Sequence, residues 1–199
     1  EWVCTSSFGC NPSSVQPGVF TTSGNANPDL FDYPVTSFDF DGITVDLAQI
    51  KANAQTGSIY LGPAVDINPQ AGGYHLILKN NGTVEVRIIT QLLSNWAYSL
   101  EQGWHYDYFR IGSEYLYNTY SVASGCPVIF VEDNLWIEGE VKGKITVVSA
   151  NLIEPNKDTD VVLPGNINYT IGDGSDGLAL IGERNILISP SSPDQMELK

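Results

Sequence analysis

The sequence predicts an all-β fold with one short helix, and within it a right-handed parallel β-helix, a β-solenoid. Three observations carry this expectation. After Cys126, short β-prone runs follow one another every few residues, separated by Gly, Asn and Asp. From Leu135 to Val147 the side chains alternate: Leu135, Ile137, Gly139, Val141, Gly143, Ile145 and Val147 share one face, while Trp136, Glu138, Glu140, Lys142, Lys144 and Thr146 share the other. The best helical spacing lies in a single stretch, about 45–56. Runs this short suit stacked coils, each burying an inward Val, Ile and Leu ladder against the next. A β-sandwich or jelly roll accepts the same alternation and is the alternative.

Residues 1–37 read as loop, rich in Ser, Gly, Asn and Pro, with only Val19-Phe20-Thr21-Thr22 strand-like. Leu47, Ile50, Lys51 and Ala54 then recur at helical spacing, Thr44 or Asp46 can cap, and Thr56-Gly57 ends the run. A β-hairpin is expected over about 74–89, because Lys79-Asn80-Asn81-Gly82 separates Tyr74–Leu78 from the β-branched run Thr83–Ile89. The aromatic stretch 92–120 has mixed period and no clean assignment, apart from a turn over Tyr98–Gly103 and a strand starting near Arg110. Gly139 and Gly143 suit bends. The expected organisation is a loop-rich cap over 1–125 packed on solenoid coils over 126–199.

The chain has 199 residues, with nine Lys or Arg against 23 Asp or Glu, a formal charge of -14. That balance argues against a nucleic-acid backbone, whose binding needs clustered cations, and against an anionic membrane surface. A 42% hydrophobic composition is too high for an acidic disordered tail. The chain opens on Glu1-Trp2-Val3-Cys4 and closes on Met196-Glu197-Leu198-Lys199, and reads as a piece of a longer protein.

The segments Cys126–Asp133, Leu135–Val147, Ile167–Thr170, Asp173–Leu178 and Asn185–Pro190 resemble bacterial PilX-like, type IV pilus-associated surface proteins. Phe38–Thr44 and Gly73-Tyr74-His75 share the likeness, which spans most of the chain. It implies an extracytoplasmic β-rich region, a β-solenoid, at the cell surface or on a pilus. It implies a structural or adhesive role without catalysis. The partners it implies are other pilus or envelope proteins, or surface glycans, with a membrane engaged only through an anchor outside this chain.

Several motifs carry a chemical reading. Cys4 and Cys10 enclose five residues and form a disulfide candidate for an oxidising compartment. Cys126, before Pro127 and an apolar run, reads as a buried free thiol. Three Cys and two distant His have the wrong spacing for a closed zinc site. Asp173, Ser175 and Asp176 put hard oxygens in one turn, of the kind Ca²⁺ accepts. The twelve-residue loop of a dedicated calcium site is absent, so a plain solvated turn is expected, calcium is the weaker reading and no cofactor is expected.

Asp39-Phe40-Asp41-Gly42 imitates a phosphatase aspartate pair, but no buried strand precedes it and no strand–helix alternation follows. His75 and His105 read as structural, since no Gly-x-Ser-x-Gly elbow accompanies them. Glu132 with Asp133, Glu138 with Glu140, and Glu101 with Asp107 are carboxylate pairs of the type a glycosidase uses, with nothing in the sequence to set their separation. Trp104, Tyr106 and Tyr108 form a candidate ligand platform, against the commoner reading of core or cap. The expectation is a non-catalytic structural segment, with a carbohydrate-binding or adhesive module as alternative and a polysaccharide-degrading enzyme third.

Overall fold

The computed structural model describes residues 3–6, 9–11, 43–99, 103–122, 127–154, 156–189 and 192–193. The chain divides into two units, Glu1–Gly42 and Ile43–Lys199. In the first, β1 (Val3–Ser6) and β2 (Gly9–Asn11) pair antiparallel, with Cys4 directly opposite Cys10. The strand expected at Val19–Thr22, the aspartates Asp39 and Asp41, and Cys126 lie outside the described residues.

The second unit is mostly β with one helix, and its sheets are parallel and mixed. Helix α1 (Ile43–Gly57) starts before the expected position, so Thr44 and Asp46 fall within its first turn rather than ahead of it. Four strands follow that alternate between two sheets: β3 (Ile59–Leu61) and β4 (Gly73–Leu78), then, after a long excursion, β7 (Val128–Val131) and β8 (Leu135–Val141). The alternation continues with β9 (Lys144–Ser149), then β10 (Asp160–Leu163) and β11 (Ile167–Tyr169), then β12 (Gly177–Gly182) and β13 (Asn185–Ile188). The order β12-β9-β7-β3 makes one sheet, parallel throughout. The order β13-β10-β8-β4 makes the parallel part of the other, with β11 also on β8. The hydrogen-bonded stack therefore begins at Ile59, well ahead of Cys126.

Register turns the pattern into a core. Ile59, Ile129, Val147 and Leu180 are successive partners across the first sheet, and Tyr74, Leu135, Val161 and Ile186 across the second. Members of both rows share one cluster. The intervening row Tyr60, Phe130, Val148 and Ile181 points the other way and is covered by Leu47, Ile50 and Ala54 of α1. That face of the helix is the i, i+3, i+7 set expected from sequence. The β-branched and aromatic content of these rows suits a pleated, buried surface.

Between β8 and β9 the alternation survives a corner: Leu135, Ile137, Val141, Ile145 and Val147 all enter the shared core. Gly143 makes the turn at φ +78° with open space around its Cβ position. The tight approach is at Gly139, φ +113°, where a Cβ would meet the Leu78 carbonyl oxygen at 2.3 Å. Trp136, on the face opposite the Leu135–Val147 ladder, is buried too.

The excursion between β4 and β7 is a single long hairpin. It runs β5 (Thr83–Ser99) and back along β6 (Gly103–Ser121). The turn at 79–82 forms as expected, with Asn81 Oδ1 accepting from the Thr83 amide and hydroxyl. The strands run far past the expected end at 89, and their pairing slips repeatedly along the way. Register shifts fall between Val86 and Arg87, Ile89 and Gln91, Gln91 and Leu92, and Leu93 and Asn95. The bulges break the period of two, at Ile88–Ile89 and Leu92–Leu93 along β5 and beyond Ile111 along β6.

Candidate functional site

The outer half of this hairpin is an arm with one aromatic face. Beyond the last register shift the alternation is strict: Trp96 pairs with Tyr106, and Tyr98 with Trp104, so all four side chains share a face. Tyr108 continues it along β6. All five are more than half exposed, from 55% at Trp96 to 64% at Trp104. The indoles of Trp96 and Trp104 lie parallel, their planes 8° apart and their centroids 6.0 Å apart. Tyr106 meets Trp96 edge-on at 4.6 Å, and Tyr98 meets Trp104 edge-on at 5.5 Å. These are the favoured offset and T-shaped geometries of aromatic pairs. The rings thus hold one another in place while leaving most of their surface to solvent.

The opposite face of the arm is polar. Ala97 pairs with His105, and Asn95 with Asp107. His105 Nδ1 lies 2.8 Å from the Gly103 carbonyl, and Nε2 lies 2.9 Å from Asp107 Oδ1. This locks the ring beside the turn, a structural role for His105.

At its base the arm folds over the outward row of the second sheet. Trp136 and Val162 of that row pack with Ile89, Leu92, Phe109 and Ile111 of the arm. Trp136 Nε1 donates to the Phe109 carbonyl at 2.7 Å. Beside it, buried His75 joins the arm to the stack: Nδ1 lies 2.8 Å from Glu114 Oε2, and Nε2 lies 3.4 Å from Glu138 Oε1. Arg87 bridges Glu114 and Glu85, with Lys79 also on Glu85. The His75 ring holds the Glu138 carboxyl below the usual range, and Arg87 does the same for Glu85.

The remaining carboxylate candidates are occupied with structural work. Glu132 is fully buried and takes Lys51 Nζ, the Tyr60 hydroxyl at 3.3 Å and the Leu152 amide at 2.8 Å. Asp133 takes the Ala64 and Asn134 amides. Asp160 is gripped by the Arg184 guanidinium and by Asn185 Nδ2, and Glu140 takes Asn80 Nδ2. Glu101 lies outside the described residues.

The Asp173–Asp176 turn is built differently from a ligand cage. Asp176 is buried, and its two oxygens accept from the Gly143 and Ile171 amides, each at 2.6 Å. Asp173 faces away into a local turn, accepting from the Ser175 amide, and bonding with Ser175 holds its carboxyl below the ordinary range. Among the described residues no group of three or more His, Cys, Asp or Glu is arranged to hold a metal ion. Among them also, no helix is long and apolar enough to cross a membrane.

Of the candidate platform, the structure places Trp104, Tyr106 and Tyr108 on one exposed face, and it adds Trp96 and Tyr98. Those two were legible as aromatics at every second position, Trp96-Ala97-Tyr98, facing Trp104-His105-Tyr106 across the Ser99–Gly103 turn. No family model, curated protein or solved structure matches this chain.

Proposed function

We propose that the chain is a non-catalytic adhesive module: a stiff β-solenoid scaffold that presents the β5–β6 arm as its contact surface. The observation that carries this reading is the stacked Trp96–Trp104 pair, flanked by Tyr98 and Tyr106 and largely open to solvent. Large aromatic surface is costly to expose and usually marks a place where something binds. Its presentation on a rigid two-stranded ribbon keeps the ordering cost of binding low.

The scaffold half of the proposal is the finer fold. Two parallel ladders that alternate along the chain, share one core and keep register over four successive strands have the form of stacked right-handed coils. Parallel crossovers are right-handed in almost all known cases. The buried carboxylates fit a structural role: Glu132, Asp133, Asp160 and Asp176 each accept from amides, a hydroxyl or a cation within the fold. The resemblance to PilX-like pilus-associated proteins supports an extracytoplasmic place on a bacterial surface or pilus. Pilus or envelope proteins are then the partners of the scaffold.

The test is a solid-phase adhesion assay. Purified protein is applied to a panel of immobilised biopolymers, including cell-wall material, mucin and collagen. Retention on at least one surface that falls away in a Trp96→Ala/Trp104→Ala variant of unchanged melting temperature is expected. Retention equal in both proteins, or none for either, would overturn the reading.

A further inference from the structure

Resting on the adhesive reading, we infer that the arm's ligand is a neutral polysaccharide, its sugar rings stacked on the Trp96, Tyr98, Trp104, Tyr106 and Tyr108 face. Residue type is the first argument. Over the distal arm, 95–98 and 103–108, the exposed large side chains are Trp and Tyr. Leu92, Phe109 and Ile111 turn the other way and pack at Trp136 and Val162, and Leu93 and Leu116 lie nearer the base. A wedge for a lipid bilayer or an apolar protein groove would present those aliphatic groups outward. Trp and Tyr instead combine a flat apolar body with a polar tip, matching a pyranose ring with its apolar C–H face and hydroxyl rim.

Shape is the second argument. On an extended strand, residues two apart recur at about 6.8 Å. Trp104, Tyr106 and Tyr108 therefore form an open strip and not a pocket, suited to successive units of a linear chain rather than to one enclosed small molecule. Charge is the third. A protein of formal charge -14 repels polyuronates and sulfated glycans, and Arg110 is the one cation placed on this face by the alternation. Stacking on uncharged rings needs no cation. The same charge opposes self-association through the face.

The experiment is affinity electrophoresis in native gels containing a soluble neutral β-glucan or a polyuronate, with phosphatidylcholine vesicle sedimentation in parallel. Wild type, Trp104→Ala and Trp104→Phe are compared, each checked for an unchanged melt. Retardation in the neutral gel is expected, at least about tenfold weaker for Trp104→Ala and largely retained by Trp104→Phe. It should persist at high salt, because no ion pair is involved. Binding only to polyuronate, or only to vesicles, with the same dependence on Trp104 would overturn the ligand class and leave the aromatic contact surface standing. Polysaccharide binding indifferent to Trp104→Ala would overturn both. So would concentration-dependent self-association through this face in place of ligand binding overturn the ligand class. Failure of the folded wild type to bind any of the probes would overturn the neutral-polysaccharide inference, while the biopolymer panel decides the adhesive reading separately.

Discussion

Trp136 Nε1 donates to the Phe109 carbonyl at 2.7 Å, and this bond spans the junction between the parallel stack and the arm. Trp136 belongs to the stack by register, pairing with His75 and Val162, yet its indole is roofed by arm residues. The junction should therefore fail in two ways that can be separated. Trp136→Phe keeps most of the apolar volume and strands the carbonyl, costing about 1–2 kcal/mol. Trp136→Ala opens a cavity and should cost about 3–5 kcal/mol. Urea melts give the totals. Hydrogen exchange at 107–111 should quicken in both variants before exchange in β8 does, and equal quickening in the two places would show that the arm base and the stack open as one unit.

Gly139 and Gly143 look alike in sequence and differ in the fold. Gly143 has positive φ and free space, so Gly143→Ala meets backbone strain alone, about 1–2 kcal/mol. Gly139→Ala adds a collision with the Leu78 carbonyl, which neither flexes nor rotates away, and should be the more damaging by a further 2 kcal/mol or about that. Thermal melts of the two variants check the order. If Gly143→Ala proves the worse, the close approach of β4 to β8 is misplaced.

That contrast shows what the sequence could and could not convey. The alternation from Leu135 to Val147 was legible, and the inward set is in the core as read. The helix face Leu47, Ile50 and Ala54 was legible for the same reason, a periodic pattern unbroken by any distortion. The burial of Trp136 was not legible, because its cover comes from Ile89, Phe109 and Ile111, residues distant in sequence that reach it only through bulged strands. The arm itself was hidden by those bulges: four register shifts scramble the period over 83–99, although the distal Trp96-x-Tyr98 and Trp104-x-Tyr106-x-Tyr108 patterns are clean. The structural duties of Glu132 and Asp176 were invisible: Asp176 is held by two backbone amides, which carry no sequence signature, and the Glu132 partners Lys51, Tyr60 and Leu152 are far apart in sequence.

Acid should loosen the base of the arm. The Glu138 carboxyl is held below its ordinary value, first by bonding with His75 and further by the charges of His75 and Lys79, against the opposing cost of burial. Glu85 is lowered by Arg87 in the same way. A carboxyl whose folded pKa lies below the unfolded value stabilises the fold at every pH above the unfolded value, about 4.3. That contribution is lost as pH falls from there through the lower folded pKa. Melting temperature measured from pH 6 downward, ~pH 3 at the end, should therefore drop more for wild type than for Glu138→Gln, which has no charge to lose at that position. Parallel curves for the two proteins would show that the His75–Glu138 contact contributes nothing.

The buried Glu132 sets up a sharper test, because its partners belong to three different elements. Lys51 comes from α1, Tyr60 from β3, and the Leu152 amide from the segment after β9. Lys51 also lies over the Tyr60 ring, 5.7 Å from its centroid, and burial with the nearby carboxylate pushes the Tyr60 hydroxyl pKa up. Removing the cation by Lys51→Met leaves a buried carboxylate with only two neutral donors. That is the costly half of breaking a buried pair, and about 2–4 kcal/mol is expected here because Lys51 keeps some solvent contact. Glu132→Gln should cost less, about 1–2 kcal/mol, since the freed ammonium can swing to water and the amide oxygen still accepts from Leu152. The double variant should recover most of the Lys51→Met loss, because no uncompensated charge remains. The coupling from this cycle should exceed about 1 kcal/mol, well beyond the scatter of independent sites. Urea melts of the four proteins decide it: additive losses would mean that α1 is held to the sheet by Leu47, Ile50 and Ala54 alone, with the ion pair a bystander.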